Sequence, residues 1–366
     1  MGAGHLYVHL PFCSSRCGYC DFVTVVGRDG EHGRYVDALL LELSLERDHL
    51  ASRLESVYLG GGTPSFTAPD ALERLLRALP TAEELTVEAN PETLTPALAK
   101  LLVDAGIDRV SLGAQSFQPH LLAVLDRHAS PDDVRGAVRM LREAGLDNLS
   151  LDLIYGIPGQ SVIDLERDLV QALALEPEHI SAYELEAKPG TRFTHAHGEE
   201  LARQAEAMEG YFELVVARLT TAGYRWYETA NFCCPGDRDL RARHNLGYWL
   251  GHDYLGLGVG AVSTCGDRRW RNAPSLRGYL EALERGDPPA RELEDLDDDV
   301  RATERLLLGL RLDEPLPLAG LQVDAQALAR LAEGGLVVSD GDRLSLTRRG
   351  RFLGGAVTAE LLSALP

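Results

Sequence analysis

The sequence is poor in several features that would assign it to a specialised class of protein. No apolar run approaches the roughly 18 residues of a membrane-spanning helix, and Met1 to Phe12 lacks the basic and apolar parts of a secretion signal. Basic residues are scarce: 36 Lys and Arg stand against 56 Asp and Glu, for a formal charge of -20. Such a charge repels polyphosphate and argues against nucleic acid as a partner. Six cysteines in 366 residues are too few for a disulfide framework, so the composition predicts a globular cytoplasmic protein.

The first half of the chain alternates short β-rich runs with amphipathic helical stretches. The predicted strands are 6–10, 57–59, 85–88, 110–112, 149–154 and 180–185. The predicted helices are 35–45, 71–79, 97–105, 134–144 and 165–175, and Thr67 and Thr95 are candidate helix caps. This alternation favours a parallel sheet with right-handed crossovers. We therefore expect an α/β fold built on a partial (β/α)6 TIM-like barrel.

The pattern changes after residue 200 and predicts three parts of the chain. Residues 1–225 would form the barrel, with a long helix from Glu200 to Ala222. Residues 226–295 would be a connecting region, which continues into an acidic stretch that serves as a linker or an exposed helix. Residues 296–366 would form a small C-terminal α+β domain of winged-helix type, because helical patterns lead there into a hairpin. The acidic charge favours a packing or partner role for that domain over DNA binding.

Three cysteines crowd together directly after the first predicted strand. Cys13, Cys17 and Cys20 have the spacing Cys-x-x-x-Cys-x-x-Cys, at the end of a barrel where active sites gather. A [4Fe-4S] cluster usually takes four thiolates, so three would leave one iron open to another ligand. A zinc site completed by His9 or a distant cysteine is the alternative. The spacing favours the cluster, because zinc loops mostly use paired Cys-x-x-Cys units.

The cysteine triplet, with Tyr19 directly before Cys20, resembles the cluster motif of the radical S-adenosylmethionine (radical SAM) superfamily. The resemblance implies a [4Fe-4S] cluster whose open iron binds SAM, and an electron donor for that cluster. The segment Gly60-Gly61-Gly62-Thr63-Pro64 follows the second predicted strand and resembles the superfamily segment that holds the methionyl amino group. A tight turn alone is the simpler interpretation of these glycines. The resemblance implies SAM contacts at Gly61, Gly62 and Thr63, where glycine lets the backbone approach a ligand.

Further polar residues lie at successive strand ends of the predicted barrel. They are Glu88, Gln115, Arg127 and Asp152. A carboxylate and an arginine suit the charged ends of SAM, while an amide and an acid suit ribose hydroxyls. Each residue alone could equally be a solvated or capping residue. Together with Tyr7 they resemble the SAM site of the oxygen-independent coproporphyrinogen dehydrogenases and their relatives, and this resemblance extends over nearly the whole chain, the small C-terminal domain included.

Two functions share this scaffold in that family. One is the dehydrogenase itself, a radical SAM enzyme that decarboxylates two propionates of coproporphyrinogen III. The other is a heme chaperone, which binds heme and transfers it to acceptor proteins. The dehydrogenases carry a further cysteine two residues after the triplet, where this chain has Phe22, and a longer segment before the first strand than precedes Leu6 here. Both departures favour the chaperone and leave the dehydrogenase as the alternative function.

A later segment carries a motif of the heme-chaperone branch. The residues His244-Asn245-Leu246-Gly247-Tyr248-Trp249 match its HNxxYW pattern. An imidazole can ligate heme iron and aromatic rings can stack on a porphyrin, so the resemblance implies heme contacts at His244, Tyr248 and Trp249. From the residues alone, a core histidine with packed aromatics is the simpler interpretation. The expected partners are heme and heme-accepting proteins, respiratory proteins among them, which would bring the chain to the membrane periphery.

Some positions depart from this branch. Its members commonly have histidine where this chain has Val262, which removes one candidate heme ligand. Cys233 and Cys234 are adjacent and would point to opposite faces of an extended segment, so they are not expected to share a metal. Cys265 could offer a thiolate ligand to heme, and the roles of all three cysteines stay open.

Overall fold

The computed structural model describes residues 2–188 and 192–363. Within these residues the chain forms seventeen strands and fourteen α-helices. The strands are β1 (His5–Leu10), β2 (Phe12–Cys13), β3 (Val25–Val26), β4 (Leu54–Gly61), β5 (Ala82–Ala89), β6 (Arg109–Gln115), β7 (Leu149–Tyr155), β8 (His179–Glu184), β9 (Arg225–Trp226), β10 (Asn231–Cys233), β11 (Tyr254–Leu257), β12 (Val262–Cys265), β13 (Arg268–Asn272), β14 (Arg291–Asp295), β15 (Leu316–Pro317), β16 (Val337–Ser339) and β17 (Arg343–Leu346). The helices are α1 (His32–Glu46), α2 (Pro69–Ala78), α3 (Pro96–Asp104), α4 (Pro119–Val124), α5 (Pro131–Ala144), α6 (Val162–Leu173), α7 (Arg192–Gln204), α8 (Met208–Thr221), α9 (Arg243–Trp249), α10 (Leu276–Glu284), α11 (Asp298–Gly309), α12 (Ala325–Glu333), α13 (Arg348–Phe352) and α14 (Gly354–Ser363). No helix in the two described ranges has the length and apolarity to cross a membrane.

Six parallel strands form the centre of one large sheet, in the order β1-β4-β5-β6-β7-β8. At least one helix lies between each of these strands and the next. The strands are buried because helices cover one face and the barrel interior lies on the other; in β6, for example, six of seven residues are buried. This succession confirms the predicted partial (β/α)6 barrel.

The sheet continues on both sides with strands from the second half of the chain. β11 pairs in parallel with β1, and β12, β13 and β14 follow in antiparallel order. At the other edge, β10 and β9 extend the sheet beyond β8. Residues 226–295, expected to connect two units, therefore supply β10 to β14 of the main sheet. The division of the chain into three parts stays a prediction.

Two local expectations about helices differ from the structure. Thr95 caps α3 as predicted, since its hydroxyl accepts a hydrogen bond from Leu98 N–H at 3.1 Å. Thr67 does not cap α2, because the chain enters that helix through Ala68 and the Thr67 hydroxyl is buried without a partner among the described residues. The long helix expected from Glu200 to Ala222 is interrupted by a 3-10 turn at 205–207, which separates α7 from α8.

The C-terminal unit packs around its own apolar core. α11, α12 and α14 enclose a three-stranded sheet of order β15-β17-β16, and the expected hairpin is present as β16 and β17. The core includes Leu306, Leu331 and Leu344. The unit meets the barrel through Phe352 of α13, whose ring lies 5.1 Å from Phe212 of α8 between centroids. This arrangement confirms the small winged-helix-like α+β domain.

One buried carboxylate joins the added strands to the barrel. Glu42 of α1 is fully buried and accepts hydrogen bonds from Gly258 N–H (2.7 Å), the Asn272 side-chain amide (2.7 Å) and the Tyr279 hydroxyl (2.6 Å). These donors belong to the loop after β11, to β13 and to α10. Desolvation raises the pKa of Glu42 to about 7.

Replacing Glu42 with alanine should destabilise the fold strongly. The change leaves three buried donors without an acceptor, and breaking a buried charged network costs about 3 to 5 kcal/mol in the free energy of unfolding. Urea denaturation followed by circular dichroism measures this loss. Asp37→Ala is the matched control, because Asp37 lies on the exposed face of the same helix, where its ion pair with Arg74 contributes little. Equal destabilisation by both changes would contradict the role assigned to Glu42.

Candidate functional site

A cavity of about 850 Å³ lies at the carboxyl ends of the parallel strands and extends to the C-terminal unit. Its lining includes eleven of the predicted site residues: Cys13, Cys17, Tyr19, Cys20, Gly61, Gly62, Thr63, Glu88, Gln115, Arg127 and Asp152. Tyr7 lies one layer behind the cavity wall. Its hydroxyl is 3.0 Å from His9 Nδ1, and its ring is stacked near that of Tyr58, which does line the cavity.

Side-chain hydrogen bonds link two of the three cysteines. The Thr63 hydroxyl donates to Cys13 Sγ at 3.4 Å and accepts from the Asn90 amide at 3.1 Å. The Asn90 oxygen in turn accepts from Arg127 at 2.9 Å, and the other guanidinium nitrogen of Arg127 is 3.7 Å from Cys17 Sγ. Donors aimed at sulfur favour thiolate charge. The network therefore prepares two of the cysteines to bind a cation or a metal cluster.

The geometry does not favour the zinc alternative. Thiolates on one tetrahedral zinc ion lie roughly 4 Å apart, since each Zn–S bond is about 2.3 Å. Among the described residues, the cysteines do not belong to a group of three ligand atoms within 4.8 Å of one another. His9 is also engaged, because its ring nitrogens contact the Tyr7 hydroxyl and, at 2.8 Å, the carbonyl oxygen of Val23.

Glycines shape the cavity wall at two strand ends. A Cβ at Gly62 would lie 2.5 Å from the backbone of Pro11, and Gly61 has a φ of +110° with His9 2.4 Å from its ideal Cβ position. Gly113 lies beside Gln115, whose amide nitrogen is 2.9 Å from the place of a Cβ. Gln115 itself has a φ of 61° at a register shift between β6 and β7. A non-glycine residue held in this region is strained, and such strain is concentrated at functional sites.

Two half-buried carboxyl groups, one on β5 and one on β7, face the cavity. Glu88 accepts hydrogen bonds from the Tyr58 hydroxyl at 2.8 Å and from Gly61 N–H at 3.1 Å. Desolvation, with a smaller contribution from Asp152, raises the pKa of Glu88 to about 7. Asp152 accepts from the Ser111 hydroxyl at 2.8 Å, and desolvation raises its pKa as well. Both groups can therefore bind a polar or cationic ligand that enters the cavity.

The HNxxYW segment forms α9, and His244 lies inside the barrel behind the cavity wall. Its Nδ1 is 2.9 Å from the Ser56 hydroxyl, and its Nε2 is 3.0 Å from the Tyr248 hydroxyl. Its ring stacks on Tyr58 with centroids 5.0 Å apart. Burial lowers the pKa of His244 to about 3, so the imidazole is neutral. His244 and Tyr248 thus contact each other and the barrel.

The remaining polar and aromatic members of that motif face elsewhere. Trp249 points to the C-terminal unit, where the Arg311 guanidinium lies 4.3 Å from its ring centroid. Asn245 lines the cavity. Asn245 and Asn90 are not among the predicted ligand contacts, although Asn245 follows His244 in the HNxxYW motif and Asn90 lies two residues after Glu88.

The far end of the cavity is apolar and carries two arginines. Tyr155, Phe212, Leu310, Leu346 and Phe352 line it together with Arg311 and Arg351. The Arg351 guanidinium lies 3.6 Å from the Trp226 ring centroid and donates to the Trp226 carbonyl. Its second terminal nitrogen is buried without a hydrogen-bond partner among the described residues. No sequence motif marks this end, because its residues come from β7, α8 and the C-terminal unit.

The downstream cysteines lie apart from the cysteine triplet. Cys233 is buried in β10 beside Tyr227, whereas the Cys234 thiol contacts the carbonyl oxygen of Pro177. Cys265 is 3.7 Å from the Tyr254 carbonyl oxygen. Burial raises the pKa of Cys233 to about 11 and that of Cys265 to about 12, so both remain thiols.

Comparison with known proteins identifies several relatives. Residues 7–171 match the model of the radical SAM superfamily, and residues 296–353 match that of the HemN C-terminal domain. The chain is similar to the heme chaperone HemW of Mycobacterium tuberculosis, with 41% identity over 98% of this chain and 94% of the relative. It is also similar to the heme chaperone HemW of Bacillus subtilis, with 31% identity over 98% of this chain and 99% of the relative. Among solved structures, coproporphyrinogen III oxidase (HemN) from Escherichia coli, a radical SAM enzyme, has the same fold, with a TM-score of 0.81 and 22% identity over 100% of this chain and 91% of that one.

Proposed function

Because the chain belongs to the heme chaperone HemW family, and its barrel matches the radical SAM superfamily, we propose that it binds heme, transfers heme to acceptor proteins and carries a SAM-binding [4Fe-4S] cluster. One observation carries the proposal. A single cavity has three cysteines at one end and an apolar wall with two arginines at the other. We place the cluster and SAM at the first end and heme, as cargo, at the second.

Cys13, Cys17 and Cys20 are the proposed ligands of the cluster, with one iron left for SAM. The residues around them fit this assignment, because Thr63 and Arg127 aim donors at two of the sulfurs. Arg127 also keeps a buried Nε–H that has no partner among the described residues, so it is an unused donor beside the cysteines. When both are bound, the cluster and SAM supply reductive cleavage of the SAM carbon-sulfur bond.

The proposed SAM contacts lie around the cysteine end of the cavity: Tyr19, Gly61, Gly62, Thr63, Glu88, Gln115, Arg127 and Asp152. The Glu88 carboxylate suits the methionyl amino group, and Arg127 suits the carboxylate. Asp152 and Gln115 offer an acid and an amide for ribose hydroxyls. Tyr7 would act through Tyr58, on which its ring stacks, since Tyr58 lines the cavity and Tyr7 does not.

Heme is proposed to lie against Phe212, Leu310 and Phe352 at the apolar end. Flat aromatic and aliphatic side chains suit a porphyrin face, and Arg351, which has a terminal nitrogen without a partner among the described residues, suits a propionate. Arg311 pairs with Glu228 at 2.7 Å and adds positive charge beside it. His244, Tyr248 and Trp249 are the second candidate position for heme. The apolar end is better supported, because His244 would have to release Ser56 or Tyr248 before it could ligate iron.

A charge placed at the apolar end should weaken heme binding. Phe352→Glu is expected to lower heme affinity at least about tenfold, since a carboxylate would lose water on contact with the porphyrin and repel its propionates. A heme titration followed in the Soret region measures the change, and iron content verifies that the cluster is intact. Leu353→Glu is the matched control, because the neighbouring Leu353 is exposed and does not line the cavity. His244→Ala is titrated in parallel. Loss of heme binding in that variant alone would assign the heme site to the HNxxYW segment. Absence of heme binding by the wild type would contradict the chaperone function.

Coproporphyrinogen III dehydrogenation is the alternative function, and the same reconstituted protein tests it. With SAM and a reductant present, we expect no loss of carboxylate from coproporphyrinogen III, measured by chromatography of the oxidised porphyrins. Phe22 stands where the dehydrogenases carry their further cysteine, and it is 59% exposed at the cavity. Decarboxylation under these conditions would favour the enzyme over the chaperone.

A further inference from the structure

Three side chains with metal-binding atoms meet at the amino end of the barrel. His5 Nε2 is 3.2 Å from His252 Nδ1 and 3.8 Å from a carboxylate oxygen of Glu55. All three ligand atoms lie within 4.8 Å of one another, and this is the one such group among the described residues. We propose that His5, Glu55 and His252 form a binding site for a divalent transition-metal ion of the zinc type.

The separations suit one ion. Metal bonds to imidazole nitrogen and carboxylate oxygen are about 2.0 to 2.2 Å, so adjacent ligand atoms lie roughly 3.0 to 3.5 Å apart. The two imidazole nitrogens already have this spacing, at which they share a hydrogen bond that the ion would replace. The Glu55 side chain is 51% exposed, so a small rotation closes the remaining gap. Two imidazoles and one carboxylate, with an open side toward water, form a donor set that zinc accepts.

The neighbouring hydroxyl orients the buried ligand. Ser56 Oγ lies 2.8 Å from His5 Nδ1 and 2.9 Å from His244 Nδ1. When His5 Nε2 binds the ion, His5 Nδ1 keeps the ring proton and donates a hydrogen bond to the Ser56 oxygen. The Ser56 hydroxyl then donates a hydrogen bond to His244 Nδ1. Metal-bound histidines are commonly held through their second nitrogen in this way. Ser56 therefore serves as a positioning residue for His5.

Glycines make room for the two histidines. A Cβ at Gly247 of α9 would lie 2.6 to 2.8 Å from three atoms of the His5 ring and would collide with its face, so only a glycine lets this ring fit against α9. Gly251, with a φ of +71°, ends the α9 turn, and His252 N–H donates to the Gly247 carbonyl at 2.9 Å. This turn places the His252 ring against His5, with centroids 5.4 Å apart.

The site is separate from the proposed cluster and from the apolar end of the cavity. His5 begins β1 and Leu10 ends it, so the length of a strand of this size, roughly 17 Å, separates the site from the cysteine end. The ion would join β1, β4 and the loop between α9 and β11. Because Ser56 would then donate to His244 Nδ1, the proton of the neutral His244 ring would lie on Nε2, which faces the Tyr248 hydroxyl.

Zinc binding by the full chain tests this proposal after the cluster has been reconstituted anaerobically, so that the cysteine triplet is occupied. The protein is dialysed against chelator-buffered zinc, and zinc and iron are measured by mass spectrometry. We expect one zinc per chain in the wild type and a loss of zinc affinity of about tenfold or more in His252→Ala and in Glu55→Gln. Both residues are exposed, so these variants should fold. Ser56→Ala should weaken zinc binding by about 10- to 100-fold, as is usual for the partner of a metal-bound histidine.

His120→Ala is the matched control. His120 is also an exposed histidine beside a carboxylate, that of Asp164, but it does not belong to the proposed metal site. This variant should bind zinc as the wild type does. No zinc on the wild type, or equal affinity in the wild type, His252→Ala and Glu55→Gln, would overturn the site. Unchanged affinity in Ser56→Ala would overturn the positioning role of Ser56. Iron content and heme binding are measured separately from zinc binding. A protein that lacked the cluster or did not bind heme would therefore not by itself give either of the two zinc results that contradict the site.

Discussion

Cys17→Ala should abolish the iron-sulfur cluster. Wild-type protein reconstituted under anaerobic conditions is expected to contain about four iron and four sulfide per chain, and the variant close to none, because a cubane held by two thiolates has lost a third of its protein ligands. Cys17 is the most informative of the triplet. It is less buried than Cys13 and takes no part in the apolar core, so its removal leaves the fold intact. Iron and sulfide analysis with visible absorption spectroscopy measures the loss.

Cys234→Ala is the matched control for this experiment. Cys234 is also partly buried, but its thiol contacts the carbonyl oxygen of Pro177 and does not line the cavity. It should retain the full cluster. A complete cluster in Cys17→Ala would show that other residues ligate the iron. One zinc per chain in place of iron in the wild type would instead favour the zinc site that the spacing left open.

Glu88→Gln should lower the affinity for SAM by roughly one to two orders of magnitude. The carboxylate is half-buried and is held by the Tyr58 hydroxyl and Gly61 N–H. A charged hydrogen bond to the ligand contributes about 1.5 to 3 kcal/mol. An amide of nearly the same shape keeps the packing but removes the negative charge. Anaerobic equilibrium dialysis with labelled SAM on the cluster-loaded protein measures the change.

The pH dependence of SAM binding provides a second check. The pKa of Glu88 is raised to about 7 by desolvation, so below pH 7 the empty site holds a proton on this carboxyl group. A cationic amino group prefers the carboxylate, and the proton must leave as it binds. Affinity should therefore rise with pH up to about 7 and level off above it. The neighbouring Tyr7, Tyr58, Tyr183 and Tyr248 all have pKa values raised above the ordinary value, so they stay neutral in this range.

Two comparisons complete this test. Asp152 also faces Glu88 and also has a raised pKa, so Asp152→Asn shows whether the pH dependence belongs to one carboxyl group or to both. Glu83→Gln is the matched control, because Glu83 lies on the same strand but is exposed at the opposite end, beside Arg53. It should bind SAM as the wild type does. Full SAM affinity in Glu88→Gln would remove Glu88 from the proposed site.

The sequence indicated much of the cysteine end of the cavity because the relevant signals are local. Cys13, Cys17 and Cys20 lie in one loop, and Gly61, Gly62 and Thr63 follow one strand. Glu88, Gln115 and Asp152 could be grouped in advance, since the carboxyl ends of parallel strands meet at one edge of a sheet. The structure brings all of these around one cavity. Tyr7, by contrast, was expected at the site and lies behind it.

The apolar end of the cavity could not be predicted in the same way. Phe212 and Phe352 are 5.1 Å apart between ring centroids, but they lie in α8 and α13, and neither helix carries a motif. Their meeting depends on how the C-terminal unit packs against the barrel. The same holds for β11, which joins the sheet beside β1 after more than two hundred intervening residues.

The sequence by itself determined the alternation of strands and helices, the triplet of cysteines and the polar strand ends, because periodicity and strand polarity act over a few residues. Only the tertiary structure decided that His244 faces Ser56 and Tyr248 inside the barrel, and that His5 meets His252 across 247 positions of the chain. These contacts depend on long-range packing of elements whose own sequences are compatible with several partners. Buried polar side chains then take whichever partners that packing provides.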